Sequence, residues 1–427
     1  MLKTTRTLSC WRMRPSPGIA AWSLNRFTFF EAVDRTAELG LHDIEAFEGQ
    51  RLSQENDVIM YGKTDAADFS HVVGYRNDGV EILFCWSAAR KLTGLVGCGG
   101  RGTGAAGDAL TGDPGTTLWA AADVFPDQIE ASLNTLTPMF PDRIQVPRER
   151  QFAGLNGYRG VIENCDLVLI ACASRFHAEY ALAGVQARKH VFVEKPAAVD
   201  VAGIEKILQA DELSRKNGTG VLSGDDVPQS LIHDLDSALW ALGDVMPERA
   251  YGMGGRSTHF QASMGTSFDH HQVTYEYADG RCIYGSCRTA SGCFGLNRDV
   301  FHGTKGRCHF AAFDRPYFTD LKGKVTWRAD AASSKKSPYE QEHLEFLQSI
   351  RAGEPFQRAK VLADSTMATV LGQMAVYSGQ RLTWKEALES KFAFPPPGEI
   401  TMNTEPPVKP GAEGIYPVAV PGQTKLV

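Results

Sequence analysis

The 427-residue chain has no run of 18 apolar residues, so no segment is long and apolar enough to span a bilayer as a helix. It has no CxxC pair, and its nine cysteines are scattered; Cys282, Cys287 and Cys293 lie near one another, but no histidine stands at a zinc-finger spacing from them. The expectation is nine reduced thiols in a cytoplasmic protein. The chain also lacks a cationic excess: its formal charge is −6, which argues against general attraction to nucleic acid or anionic membrane. The N-terminus has basic residues but neither an apolar core segment nor an Arg-Arg pair, so no secretory signal is expected. No internal repeat is visible. What is present is 43% hydrophobic residues, enough for buried cores, on a length that suggests two or three domains.

Four textures follow one another. Residues 1–90 read as an irregular N-terminal extension, with a strand at Gly18–Leu24, a helix at Thr28–Leu39 ending on Gly40, and no clear period over 50–90. From Leu92 short apolar strands alternate with helices: Leu92–Val96, Leu118–Ala122, Asp166–Ala173, His190–Val193 and Thr219–Ser223 as strands, His177–Lys189 and Asp200–Asn217 as helices. Such alternation predicts a parallel sheet covered on both faces over 91–223. Over 224–393, Val273, Tyr275 and Tyr277 alternate, followed by Asp279-Gly280, which predicts a hairpin with a type I′ turn in a second, antiparallel domain. Helices are expected at Gln341–Ala352, read as a solvated amphipathic surface, and at Ala359–Ser378. Residues 394–427 are rich in Pro and Gly and read as an extended arm. His270-His271 and His302/His309 match no common metal spacing and are read as sheet or loop residues.

Gly97-Cys98-Gly99-Gly100-Arg101-Gly102 follows the first of these strands and opens a helix. In such a GxGxxG turn, Gly97 permits the tight bend, Gly99 lets the backbone approach a pyrophosphate, and Gly102 brings helix and strand together. The helix N-terminus then offers unpaired N–H groups to the phosphates. Asp123, 21 residues after Gly102, ends the next strand, where a carboxylate binds a ribose 2′-hydroxyl and disfavours a 2′-phosphate. NAD is therefore expected, NADP less so. Glu194-Lys195-Pro196 follows the strand HVFV, at the sheet edge where ligands bind. A lysine there reaches a substrate hydroxyl and the nicotinamide.

Together, GLVGCGGRGTG, ADVFPDQIEA, DLVLIACA with His177 after it, HVFVEKPAAVDVAGI, YGMGGR, VTYEYADGRCIYGSCR, GTKG and STMATVLGQMAVYSGQRLTWKEAL resemble the Gfo/Idh/MocA oxidoreductases over residues 91–427. The resemblance implies an N-terminal Rossmann doubly wound sheet, then an α+β domain with an open, largely antiparallel sheet, truncated relative to the family. It implies NAD(P)-dependent hydride transfer at a ring hydroxyl of a sugar, inositol or related polyol; some relatives use bound NAD for glycoside cleavage by transient oxidation. A third reading is a nucleotide-binding protein with a degenerate catalytic site. Lys195 matches the family's EKP lysine and His233, in LIHDLD, its catalytic histidine. Ser174, His177, Glu194 and Pro196 join Gly97, Gly99, Gly100, Arg101, Gly102, Asp123 and Lys195 as cofactor-binding candidates. No metal, nucleic acid or membrane partner is implied; a small-molecule substrate and self-association through the second-domain sheet are. Two departures stand out. Gln229 occupies the position four before His233 where the family carries Asp, with Asp234 or Asp236 as substitutes, and only 38 residues separate Lys195 from His233, a shorter interval than in relatives. The stretch GIAAWSLNRFTFFEAVDRTAELGLHDIEAFEGQRLS resembles one unit of a xylose-isomerase-like sugar phosphate isomerase/epimerase TIM barrel, too little to close a barrel of ~250 residues.

Overall fold

The computed structural model describes residues 91–223 and 231–426, apart from residue 259 and residues 261–264, 291, 312–313, 330–336, 394–399, 406–407 and 412. It also describes the backbone of three N-terminal strands, β1 (Val58–Tyr61), β2 (Phe69–Asn77) and β3 (Val80–Ser87). These pair antiparallel in the order β1-β2-β3. Residues 58–61, 69–77 and 80–87 are thus strands where an irregular segment was expected. The sequence between β2 and β3 is Asp78-Gly79, a hairpin signal that the absence of a clear period obscures. The barrel-like stretch 18–53 lies outside the described residues.

Residues 91–223 form a six-stranded sheet of β4 (Lys91–Val96), β5 (Thr116–Asp123), β6 (Gln151–Ala153), β7 (Leu167–Ile170), β8 (His190–Val193) and β9 (Val221–Ser223). All neighbours are parallel, in the order β6-β5-β4-β7-β8-β9. That order reverses between β5 and β7 around β4, the doubly wound pattern whose crevice at the strand C-termini binds ligands. Leu167–Ile170 is buried at every position because helices cover both faces. Those helices are α1 (Gly100–Gly112), α2 (Pro126–Leu136), α3 (Gly157–Asn164), α4 (His177–Gln186) and α5 (Val201–Asn217). Helix α5 begins where the Asp200 carboxylate accepts the Gly203 N–H at 2.9 Å and stops where Gly218 turns left-handed at φ 68°.

The second half begins with α6 (Leu231–Ala241), then strands β10 (Arg249–Gly255), β11 (His270–Glu276) and β12 (Cys282–Arg288). The β11–β12 turn differs from the type I′ expected. Asp279 is not left-handed; Gly280 alone is, at φ 87°, after a Tyr277–Gly280 turn closed by the Gly280 N–H to Tyr277 carbonyl bond at 3.1 Å. Three residues, 278–280, make a type I turn with a glycine bulge, because the Tyr277 N–H bonds the Arg281 carbonyl at 3.0 Å and lengthens the loop by one. A second sheet follows, β13 (Asp299–His302), β14 (Gly306–Ala311), β15 (Asp314–Asp320) and β16 (Val325–Arg328), all antiparallel. Helices α7 (Pro338–Arg351) and α8 (Ala359–Ser378) precede β17 (Leu382–Thr383) and α9 (Trp384–Leu388). The expected fold class, a parallel doubly wound sheet followed by an antiparallel α+β half, is present, the second half holding two four-stranded sheets, β12-β11-β10-β17 and β13-β14-β15-β16.

Helix α8 is buried over most of its length because α5, α6, β10 and β11 pack on it, with Lys360 and Asp364 near its start left at the surface as an ion pair. At Gly372 it approaches Tyr275 so closely that a Cβ would stand 2.2 Å from the phenol oxygen. Helix α7 is not a solvated surface. Phe346, Leu347 and Ile350 join Leu95, Leu118 and Phe192 in one core, so the second half of the chain roofs the first. Its charged residues had masked this face: Glu342 and His343 are themselves buried. The C-terminal segment folds back, with Leu426 in the core and the Gly422 N–H bonded to the Ser378 carbonyl at 2.7 Å. Among the described residues no helix is long and apolar enough to cross a membrane.

Candidate active site

The site is built at the C-terminal edge of β4, β5, β7 and β8. After β4 the chain turns at Gly97, whose φ is 93°; a Cβ there would lie 2.4 Å from the Cys172 backbone nitrogen. At Gly102 a Cβ would stand 1.8 Å from the Gly97 carbonyl oxygen. Both positions admit only hydrogen, because β4, α1 and the end of β7 converge there. Gly99 and Gly100 are different: nothing lies within 4 Å of where their Cβ atoms would be. Gly99 is the N-cap of α1 and provides no side-chain cap, and the first backbone bond is from the Thr103 N–H to the Gly99 carbonyl at 2.9 Å. The N–H groups of Gly100, Arg101 and Gly102 thus precede the helical ladder beside open space. That cradle fits a pyrophosphate.

Asp123 ends β5 beneath this turn. Its carboxylate accepts the Cys98 N–H at 2.7 Å and the Phe125 N–H at 3.0 Å. It therefore braces the glycine turn from below while remaining half-buried at the crevice edge. Each oxygen keeps a lone pair, so the same group can also receive ribose hydroxyls.

Glu194 follows β8 and is 4% exposed. Its Oε1 accepts from Arg101 Nε at 2.7 Å, so the two residues chosen as cofactor contacts bind each other. Arg101 is held on further sides by Asp108, 3.5 Å away, and by the Tyr339 ring of α7, 4.8 Å from its guanidinium carbon. The ion pair links the first turn of the phosphate helix to the residue before Lys195. The Lys195-Pro196 peptide is cis.

His177 was expected to touch the cofactor, but its ring is 1% exposed and engaged elsewhere. Nδ1 lies 2.8 Å from the Pro196 carbonyl oxygen and Nε2 2.9 Å from that of Cys172. Burial pushes its pKa below the usual range, while the Pro196 and Cys172 carbonyls and Glu194 pull upward. It ties the loop after β7 to the Lys195 turn and acts on the site through backbone. Ser174 begins the short 3-10 turn that leads into His177 and is half-buried.

The glycine loop is tied to Asp123 through the Cys98 N–H and to Glu194 through Arg101, and the chain after Glu194 is tied through the Pro196 carbonyl to His177. His233 lies in the first turn of α6, half-buried, on a helix that packs against β12. Gln229 lies outside the described residues. Asp236, one candidate partner for His233, is buried and accepts a short hydrogen bond from Ser365 Oγ of α8. Burial pushes its pKa up to about 7, with Asp244 adding repulsion. Asp234, the other candidate, faces β13: its charge joins burial in pushing Asp299 up to about 8. Sequence reasoning did not single out Asp299, whose only sequence signal is a charged residue within an alternating strand. It also missed the Asp113–Arg351 ion pair, 2.7 Å long with both side chains buried, which bolts α7 to the end of α1.

Comparison with known proteins agrees with this geometry. Residues 91–219 match the Gfo/Idh/MocA profile, described as an oxidoreductase family with an NAD-binding Rossmann fold. A glycosyl hydrolase family 109 protein 1 of Bacteroides thetaiotaomicron is 30% identical over 127 residues, 29% of this chain and 26% of that protein. An inositol 2-dehydrogenase of Acidothermus cellulolyticus is 32% identical over 119 residues, 28% of this chain and 32% of that protein. The matched part is thus between a quarter and a third of these relatives' length. Among solved structures, scyllo-inositol dehydrogenase of Lactobacillus casei with NAD(H) and scyllo-inositol superposes with a TM-score of 0.53 at 17% identity, covering 69% of this chain and 99% of that one. Levoglucosan dehydrogenase in complex with NADH and levoglucosan gives 0.55 at 12% identity, covering 69% and 99%. These two likenesses establish the fold beyond residue 219, and over residues 91–219 the chain carries the NAD-binding Rossmann fold of the Gfo/Idh/MocA oxidoreductases.

Proposed function

We propose that the protein is an NAD-dependent dehydrogenase acting on a ring hydroxyl of a sugar, inositol or related polyol. The observation that carries this is the open, uncapped glycine cradle with Asp123 beneath it and Glu194-Lys195 braced beside it at one sheet edge. The carboxylate of Asp123 supports NAD over NADP, since it repels a 2′-phosphate. When bound, NAD supplies the hydride acceptor. Lys195 donates a hydrogen bond to the substrate hydroxyl oxygen and stabilises negative charge as it grows there. His233 accepts the hydroxyl proton. The test is NADH formation with a panel of inositols, aldoses and anhydrosugars, in the chain as it stands and in Lys195→Ala and His233→Asn. NADH should accumulate with at least one compound and fall by roughly a hundredfold or more in either variant, the usual worth of an acid–base group. Retained NAD binding with no NADH from any compound refutes the reading.

A second reading is favoured by the relatives named glycosyl hydrolase family 109. An NAD-dependent glycosidase regenerates its cofactor, so it releases sugar from aryl glycosides at catalytic NAD with no NADH build-up. The same panel with aryl glycosides separates the two. Self-association through β12-β11-β10-β17 is supported by exposed Tyr251, Met253 and Tyr284 on that sheet, with Tyr251 and Tyr284 flanking Thr274 in one cross-strand row. Sedimentation of Tyr251→Lys against the unaltered chain tests it. The seven described cysteines are all free, in keeping with a reducing compartment.

A further inference from the structure

The sheet β13-β14-β15-β16 has two unlike faces. One carries Phe301, Cys308, Phe318 and Trp327, which pack on each other. The other is cationic. Register places His309 opposite Val300 on one side and Tyr317 on the other, with Arg328 opposite Tyr317. Arg307 and His302, directly paired, extend the same face along the strands. Residues 298–328 hold seven Lys and Arg against three Asp, so this unit is positive within a negative chain. Of the three carboxylates, Asp299 points toward Asp234, and Asp320 is spent on the Lys322 and Lys324 N–H groups of its own turn, at 2.9 Å each. Burial, with the Arg298 and Arg307 charges nearby, pushes the His309 pKa down, so its ring is a neutral hydrogen-bonding group and the positive charge of this face is that of its arginines.

The row is also ordered. The rings of His309 and Tyr317 stack at 4.5 Å with an 8° interplanar angle, and the Arg328 guanidinium carbon lies 4.3 Å over the other side of Tyr317. The phenol is thus sandwiched, and stacking spends the side-chain entropy of three donors before any ligand arrives. His309 is further held in the row by Thr319, whose Oγ1 lies 3.4 Å from Nε2. Adjacent strands space these donors about 4.8 Å apart and alternate residues about 6.8 Å apart, a two-dimensional grid of hydrogen-bonding tips that includes the guanidinium groups of Arg307 and Arg328.

We propose that this outer face binds an acidic carbohydrate chain, one bearing carboxylate or sulfate groups. Both faces of Tyr317 are occupied, so no open ring platform is left for a nucleobase, which disfavours single-stranded nucleic acid. Charge complementarity selects an anion, and the pendant acid groups of a glycan match a grid of separate donors. The choice of carbohydrate over other polyanions rests on the sugar-directed reading above; the binding itself needs no turnover. The test is equilibrium binding of a heparin oligosaccharide, which presents sulfates, and of an oligogalacturonate, which presents carboxylates, with neutral dextran and single-stranded DNA as comparators. At least one acidic glycan should bind, weaken with added salt, and lose roughly tenfold or more in Arg307→Ala/Arg328→Ala, as expected for two charge-assisted contacts. Lys385→Ala, an exposed lysine of α9, should leave it unchanged. Arg328→Gln alone, at an exposed position, should show a smaller loss in the same direction and covers the case in which the double variant does not fold. NAD binding should persist throughout, so failure here leaves the dehydrogenase reading intact, and absence of NADH leaves this one intact. No binding of either acidic glycan, equal binding by the variants, or DNA binding as tight as glycan binding overturns the proposal.

Discussion

Replacing His343 with leucine should flatten the acid limb of the protein's stability. The ring is fully buried in α7, 4.2 Å from the Phe192 ring centroid, and neither ring nitrogen has a hydrogen-bond partner. Burial, with the Arg101 charge behind it, lowers its pKa from 6.5 to about 3. The folded state thus holds the neutral ring while the unfolded chain takes up a proton near pH 6.5. For such a depressed group the stability is whole above pH 6.5 and is lost as pH falls toward 3. At 1.36 kcal/mol per pKa unit, the loss is about 1.4 kcal/mol at pH 5.5 and about 2.7 kcal/mol at pH 4.5. His190 and His271, both lowered to about 4 by burial, titrate in the same window, so the total slope is steep. They are present in both proteins, and their contribution cancels in the difference between the original chain and His343→Leu. Urea denaturation of both at pH 7.5, 6.5, 5.5 and 4.5 reads that difference. The variant should gain about 1.3 kcal/mol relative to the original between pH 5.5 and 4.5. A difference that stays constant across the four pH values would falsify the assignment of a buried, neutral His343.

Three further outcomes follow from the site. Gly99→Ala should leave unfolding unchanged yet weaken NAD, since its Cβ enters the open cradle, whereas Gly102→Ala should lose both, its Cβ meeting the Gly97 carbonyl at 1.8 Å; calorimetric NAD titration beside thermal unfolding distinguishes them. Arg351→Met strands the buried Asp113 carboxylate and should cost about 3–5 kcal/mol in denaturant unfolding, while the double variant with Asp113→Leu should recover part of it. Arg101→Met and Glu194→Gln should each weaken NAD, and together by less than the product of their separate effects, because the pair at 2.7 Å acts as one unit; strictly multiplicative losses refute that coupling.

The doubly wound half was legible because its signals are local and doubled. A strand buried on both faces is a continuous apolar run, as in Leu167–Ile170, and a glycine that must be glycine announces a turn, as Gly97 and Gly102 do. Helix α8 likewise reads at its observed bounds, since a helix packed by neighbours over most of its surface is apolar through several turns and ends at Gly379. Misreadings arose where distant residues decide. Glu342 and His343 make α7 look solvated, and only the arrival of α1 and β8 buries them. The partners of the His177 ring, the carbonyls of Cys172 and Pro196, likewise come from two separate loops that its position in the sequence does not name. The Asp279-Gly280 turn gains a residue because Tyr277 pairs with Arg281, a register choice that no dipeptide carries.

The roof that α7 lays over the nucleotide half has a consequence for how the protein is made. A ribosome delivers residues 91–223 long before Phe346, Leu347 and Ile350 emerge. Until then the sheet that will carry the dinucleotide waits with Phe192 and Leu118 lacking their cover. A message truncated anywhere before residue 351 would therefore yield a glycine turn of correct sequence on an unfinished core, exposed to chaperones and proteases. That half is continuous in sequence, yet its core is closed only by residues that follow the whole of the second half's two sheets but β17.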